Sequence, residues 1–125
     1  MASVLVVDDD PDVCDLVTYK LEQSGFAVRR AADGDAALRE IAAEIPDLVL
    51  LDIMMPGMTG LEVLQRLRAE EPTVALPVIL LSAKAQENDV EKGIQLGADD
   101  YVVKPFSPRE LARRVTSVVS RRSTA

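Results

Sequence analysis

Five times along this 125-residue chain an apolar run is followed by an amphipathic stretch. Strands buried on both faces read as continuous apolar runs, whereas a helix lying on a sheet shows one apolar stripe. The alternation therefore predicts a parallel sheet covered by helices on both sides. The first run, Ser3 to Val7, ends in Asp8, Asp9 and Asp10. Asp10 suits a helix cap and Pro11 the first helical position, with Val13, Leu16, Val17 and Leu21 at helical spacing until Gly25 stops the helix. Phe26 to Ala31 reads as a second strand, and Asp33-Gly34 turns the chain into a helix carrying Ala37, Leu38, Ile41 and Ala42.

Leu48 to Leu51, after Pro46, is a predicted third strand, with Asp52 where that strand runs out of sheet. Met54 to Gly60, which holds Pro56-Gly57, reads as a loop, and a helix through Leu61, Val63, Leu64 and Leu67 follows it. Pro72 and Pro77 bracket the approach to a fourth strand, Val78 to Leu81, with Ser82 and Ala83 at its end. Glu87 to Leu96 reads as a helix closed by Gly97, and a short fifth strand ends near Lys104. Ser107-Pro108 then opens a last helix with Leu111, Val115, Val118 and Val119 facing inward.

The expectation is a single α/β domain over residues 1–125: a (βα)5 doubly wound, flavodoxin-like, five-stranded parallel sheet. Strand order 2-1-3-4-5 sets the first strand beside the third. In such sheets the ligand crevice lies at the carboxyl ends of the strands, so Asp8, Asp9, Asp52, Ser82 and Lys104 should converge there.

Composition narrows the partners. A formal charge of −7 disfavours a nucleic-acid backbone, since nonspecific affinity for it comes from clustered Lys and Arg. The one basic concentration, Arg113, Arg114, Arg121 and Arg122, reads as favourable charge at a helix C-terminus. A single cysteine, Cys14, and no histidine leave no internal disulfide and no familiar soft-metal site, which makes a reducing compartment the default. No apolar run approaches the roughly 18 residues of a spanning helix, and no basic leader opens the chain. A cytoplasmic protein with neither direct nucleic-acid contact nor a membrane partner is expected.

Three carboxylates in one cleft raise one another's pKa unless a cation neutralises them. Magnesium, or manganese, accepts hard oxygen ligands, and two aspartates plus one backbone carbonyl make an incomplete cage whose open positions can take phosphoryl oxygens. Asp52 can then act as the nucleophile and Lys104 as a point charge on the phosphoryl group, with the Ser82 hydroxyl and the Ala83 N–H serving the remaining oxygens. Each residue has a plainer role in isolation. Asp52 and Ser82 would be turn formers, Lys104 a solvated strand end and Tyr101 a packed ring, while Cys14, Met54, Met55 and Met58 read as packing or loop residues. Convergence is what favours the chemistry.

Val6-Val7-Asp8-Asp9, the stretch Leu50-Leu51-Asp52-Ile53-Met54-Met55-Pro56-Gly57, Leu81-Ser82-Ala83, and Gly97-Ala98-Asp99-Asp100-Tyr101 through Lys104-Pro105-Phe106 resemble the motifs of the response-regulator receiver family. They stand in family order, and the resemblance runs from Ser3 to Arg122. It implies that Asp52 takes phosphate from a phosphohistidine on a sensor histidine kinase or phosphotransfer protein. It also implies magnesium bound by Asp9, Asp52 and the Met54 carbonyl, and through water by Asp8. Ser82 and Tyr101 fall on the family's switch positions, which remodel the face of the fourth helix, fifth strand and fifth helix. Such a chain catalyses only its own phosphorylation and dephosphorylation.

The resemblance further implies a cis Lys104-Pro105 bond, and an influence of Met54 and Lys84 on water access to the acyl phosphate. Lys92, Asp99, Asp100, Glu110 and Arg114 resemble the charged homodimer face of receivers attached to winged-helix transcription factors, although Thr116 stands where a basic residue is common.

Other functions meet specific obstacles. A flavin phosphate would be repelled by Asp8, Asp9 and Asp10 in the first loop. A haloacid-dehalogenase-type phosphatase expects an acid where Met54 stands, and no P-loop or dinucleotide glycine fingerprint occurs. A phosphorylation-independent interaction module of the same fold is the nearest rival.

Overall fold

The computed structural model describes residues 1–83 and 86–123, excepting the side chains of 122 and 123, so Lys84 and the Arg122 side chain lie outside the described residues. Five parallel strands form one sheet: β1 (Ser3–Val7), β2 (Ala27–Ala31), β3 (Leu48–Asp52), β4 (Val78–Ala83) and β5 (Asp100–Lys104). Their order is β2-β1-β3-β4-β5. The helices are α1 (Pro11–Gln23), α2 (Gly34–Ala43), α3 (Gly60–Ala69), α4 (Glu87–Gln95) and α5 (Pro108–Ser123), and a short 3-10 turn at Glu71–Thr73 precedes β4. Among the described residues no helix is long and apolar enough to cross a membrane.

Short polar side chains set the helix starts by accepting from otherwise unpaired N–H groups. Asp10 Oδ1 accepts from the Asp12 N–H at 2.9 Å, Asp33 Oδ1 from Ala36 at 2.8 Å, and Ser107 Oγ from Glu110 at 3.3 Å. Thr59 and Glu62 form a reciprocal capping box at α3.

The two-residue strand period divides the core into two layers. Val4, Val6, Leu48, Leu50, Ile79, Leu81 and Val102 pack with Cys14, Val17 and Leu21 of α1 and Leu111, Val115 and Val118 of α5. The alternate residues Leu5, Val7, Val49, Leu51, Val78 and Leu80 pack with Ala37 and Ile41 of α2 and Val63, Leu64 and Leu67 of α3.

Four details depart from the sequence reading. β2 starts at Ala27, because the Phe26 N–H is spent on the Leu21 carbonyl at the end of α1. β4 runs on through Ser82 and Ala83, which pair with Val103 and Lys104 of β5. Leu16 is 49% exposed, the inward stripe of α1 being Cys14, Val17 and Leu21. Arg113 and Arg114 lie mid-helix in α5 and pair with Glu110, so they do not decorate its C-terminus.

Leu21→Ala should therefore lower the unfolding free energy by about 2–5 kcal/mol, whereas Leu16→Ala should stay within about 0.5 kcal/mol. Urea denaturation of both variants checks this, and equal losses would contradict the assigned face of α1.

Candidate functional site

Strand alternation decides which side chains meet at the carboxyl rim. Asp8 continues the series of Val4 and Val6, Asp52 that of Leu48 and Leu50, and Lys104 that of Val102, all on the α1 and α5 side. Lys104 Nζ lies 2.8 Å from Asp8 Oδ2 and 3.5 Å from Asp52 Oδ2. Asp8 and Asp52 are buried, at 1% and 5% exposure, while Asp9 is exposed. Asp8 is further fixed by its backbone: its N–H donates to the Ala31 carbonyl at 3.2 Å, and its carbonyl accepts from Cys14 Sγ at 3.3 Å. Its Oδ1 accepts from the Asp10 N–H at 3.0 Å.

Asp8, Asp9 and Asp52 each offer a carboxylate oxygen, and the three oxygens lie within 4.8 Å of one another. At that separation two unit charges repel by about 3.5 kcal/mol with an effective dielectric of about 20. Three carboxylates against one ammonium leave a net −2 when all are ionised. Burial, reinforced by the charge of Asp8, accordingly pushes the Asp52 carboxyl up from 3.8 to about 7, although Lys104 pulls the other way. Burial also disfavours the Lys104 ammonium, but the hydrogen bond to Asp8 and the charges of Asp52 and Asp8 outweigh it and leave its pKa raised. Hard oxygen donors carrying two uncompensated charges fit a divalent ion such as magnesium.

The remaining residues divide between the site and the opposite side of the sheet. Ser82 is fully buried, and its hydroxyl has no hydrogen-bond partner among the described residues. The Ala83 N–H is engaged by Gln86 Oε1 at 2.6 Å. Ser82, Val90, Ile94, Tyr101 and Val103 line a cavity of about 650 Å³ under α4, with Tyr101 at its edge and 42% exposed. Met54 stands two residues beyond Asp52 with its side chain 59% exposed. The Lys104-Pro105 bond is cis.

Two positions escaped the sequence reading. Gly60, read only as a loop end, packs on the acceptor strand: a Cβ there would collide with the Asp52 carbonyl oxygen, and its N–H donates to the Ile53 carbonyl at 2.8 Å. The Thr59–Glu62 capping-box spacing marked this helix start. Gln86 carried no local signal, because glutamine is not a favoured cap.

A family profile for the response regulator receiver domain matches residues 4–116. The alkaline phosphatase synthesis transcriptional regulatory protein PhoP of Bacillus subtilis is 44% identical over 122 residues, covering 98% of this chain and 50% of that protein. The phosphate regulon transcriptional regulatory protein PhoB of Escherichia coli is 42% identical over 118 residues, covering 94% and 52%. The chain thus spans about half the length of these curated relatives. The crystal structure of the receiver domain of NtrX from Brucella abortus superposes with a TM-score of 0.87 at 34% identity, covering 94% of this chain and 98% of that one.

The raised Asp52 pKa has a signed consequence for stability. Without divalent ions the folded carboxyl titrates near 7 and the unfolded one near 3.8, so between those values the folded state holds the extra proton. Its contribution is present below about pH 4, is lost as pH rises through about 7, and is level above that. In chelator, Asp52→Asn should accordingly gain stability over the parent by a few kcal/mol, on that order, between pH 5 and pH 8. Magnesium should narrow the gap at pH 8. Thermal melts of both proteins read this, and a gap that neither widens with pH nor responds to magnesium would contradict it.

Proposed function

The chain belongs to the response regulator receiver domain family, and on that premise we propose that Asp52 is its phospho-acceptor, charged by a sensor histidine kinase or a phosphotransfer protein. The observation that carries this reading is the Lys104 ammonium shared between buried Asp8 and Asp52. A carboxylate oxygen of Asp52 forms the bond to phosphorus as the P–N bond of a phosphohistidine breaks, and the bonding pair leaves with the imidazole nitrogen. Lys104, hydrogen-bonded to Asp8 and 3.5 Å from Asp52 Oδ2, is placed to pair with a phosphoryl oxygen. Magnesium or manganese, held by Asp9, Asp52 and the Met54 carbonyl and through water by Asp8, would supply positive charge to the transferring oxygens. The buried Ser82 hydroxyl, without a partner among the described residues, supports its role as a switch donor, with the Ala83 N–H as a second donor and Tyr101 as the ring that responds.

Receiver action changes the protein itself and turns over no outside substrate. The names of PhoP and PhoB make transcriptional control the output we infer. Homodimerisation through α4, β5 and α5 is a further element of this reading. Arg114 already pairs with Asp100 at 3.0 Å and Glu110 at 3.1 Å, and Asp99 with Arg68 at 3.5 Å. A dimer on this face would therefore exchange ion pairs rather than create them, and its net gain would be small.

With magnesium and acetyl phosphate, intact-mass measurement should show one added phosphoryl group on the parent and none on Asp52→Asn. Lys104→Ala should be slower by about 100-fold. No Asp52-dependent gain would favour the phosphorylation-independent interaction module. Light scattering with beryllofluoride should show a shift toward dimer mass, and an unchanged monomer would remove the dimer from this reading.

A further inference from the structure

Gln86 occupies the N-cap of α4, where a short side chain would ordinarily accept from the helix's own N–H groups. It makes no such bond. Its side chain turns back instead, and Oε1 accepts from the Ala83 N–H at 2.6 Å, while its own N–H donates to the Ala83 carbonyl at 3.1 Å. These two bonds clasp the end of β4 to the start of α4. The adjacent donor is in the opposite condition, since the Ser82 hydroxyl is buried with no partner among the described residues. Of the two donors assigned to phosphoryl oxygens, one is idle and one is held by an internal carbonyl.

We propose that Gln86 gates the acceptor site. Its amide oxygen competes for the Ala83 N–H that an acyl phosphate on Asp52 requires, so phosphorylation and release of Gln86 are one coupled event. This rests on the phospho-acceptor reading. An anionic phosphoryl oxygen binds an N–H more strongly than a neutral amide oxygen does, so the exchange runs toward the phosphoryl group once it is present. Before that, the amide holds the donor closed and raises the threshold for modification. Release also opens the clasp at the first turn of α4, which carries the chemical event from the strand end to that helix.

Three variants separate gating from helix capping. Gln86→Ala removes the acceptor, and Gln86→Asn is too short to reach back but caps α4 itself. Both should phosphorylate faster with acetyl phosphate and bind beryllofluoride more tightly, by about fivefold, the worth of one hydrogen bond of ordinary net strength. Gln86→Glu, whose carboxylate accepts more strongly and repels the incoming anion, should be slower than the parent. In ¹⁵N-labelled protein the Ala83 amide resonance should move on Gln86→Ala before beryllofluoride is added and coincide with the parent's after it.

A purely structural cap would instead change melting temperature in Gln86→Ala and leave rates alone. Parent uptake that is normal while all three variants stay within about twofold of it overturns the gate alone. The same holds if Ala and Glu shift the rate in the same direction. A parent that takes up neither phosphoryl group nor beryllofluoride overturns the phospho-acceptor reading, and the gate with it.

Discussion

One ammonium shared by two buried carboxylates is the interaction on which the site is organised. Lys104 comes from the edge strand β5, Asp8 from the end of β1 and Asp52 from β3, so their meeting requires the whole strand order and its common register. Breaking such a cluster by removing the cation would leave buried charges uncompensated, which is costlier than losing an exposed ion pair. Even intact, the cluster is not neutral when ionised: two carboxylates already outnumber the one ammonium, and Asp9 adds a third within reach. The fold thus holds a standing electrostatic deficit at one rim, and a site in that condition favours whatever positive charge it can recruit.

Much of this was legible in the chain. Apolar runs gave the strands, and Asp10, Asp33 and Ser107 announced helix starts that the structure caps with those same side chains. The rule placing ligand crevices at the carboxyl ends of parallel strands brought Asp8, Asp9, Asp52 and Lys104 to one place before any distance was known. The receiver family, suggested by four short motifs, is the family to which the chain belongs.

What was not legible depends on competition between neighbours in space. Helical spacing could not choose between adjacent stripes of α1, so Leu16 was grouped with Leu21 although the helix turns its face toward Cys14, Val17 and Leu21. Ser82 and Ala83 read as the tip of a strand whose apolar run closes at Leu81. They belong to β4 because β5 offers them partners. Phe26 looked like the start of a strand, yet its N–H closes the preceding helix. Long flexible side chains are harder still: nothing in the residues around Gln86 indicates that its amide turns back to the backbone rather than into solvent.

The contact of Gly60 with the Asp52 carbonyl also sets how closely α3 can approach the rim. The Asp52 main chain is flanked by β1 and β4 and has the start of α3 seated directly against it, so a side chain at position 60 would drive helix and strand apart. On the neighbouring strand α4 borders a cavity, is tethered at its start by the Gln86 side chain, and comes close through Gly93, where a Cβ would meet the Leu80 side chain. At Gly60 the obstruction is backbone and at Gly93 the movable end of a leucine, so a single added methyl would displace α3 from its strand more readily than α4.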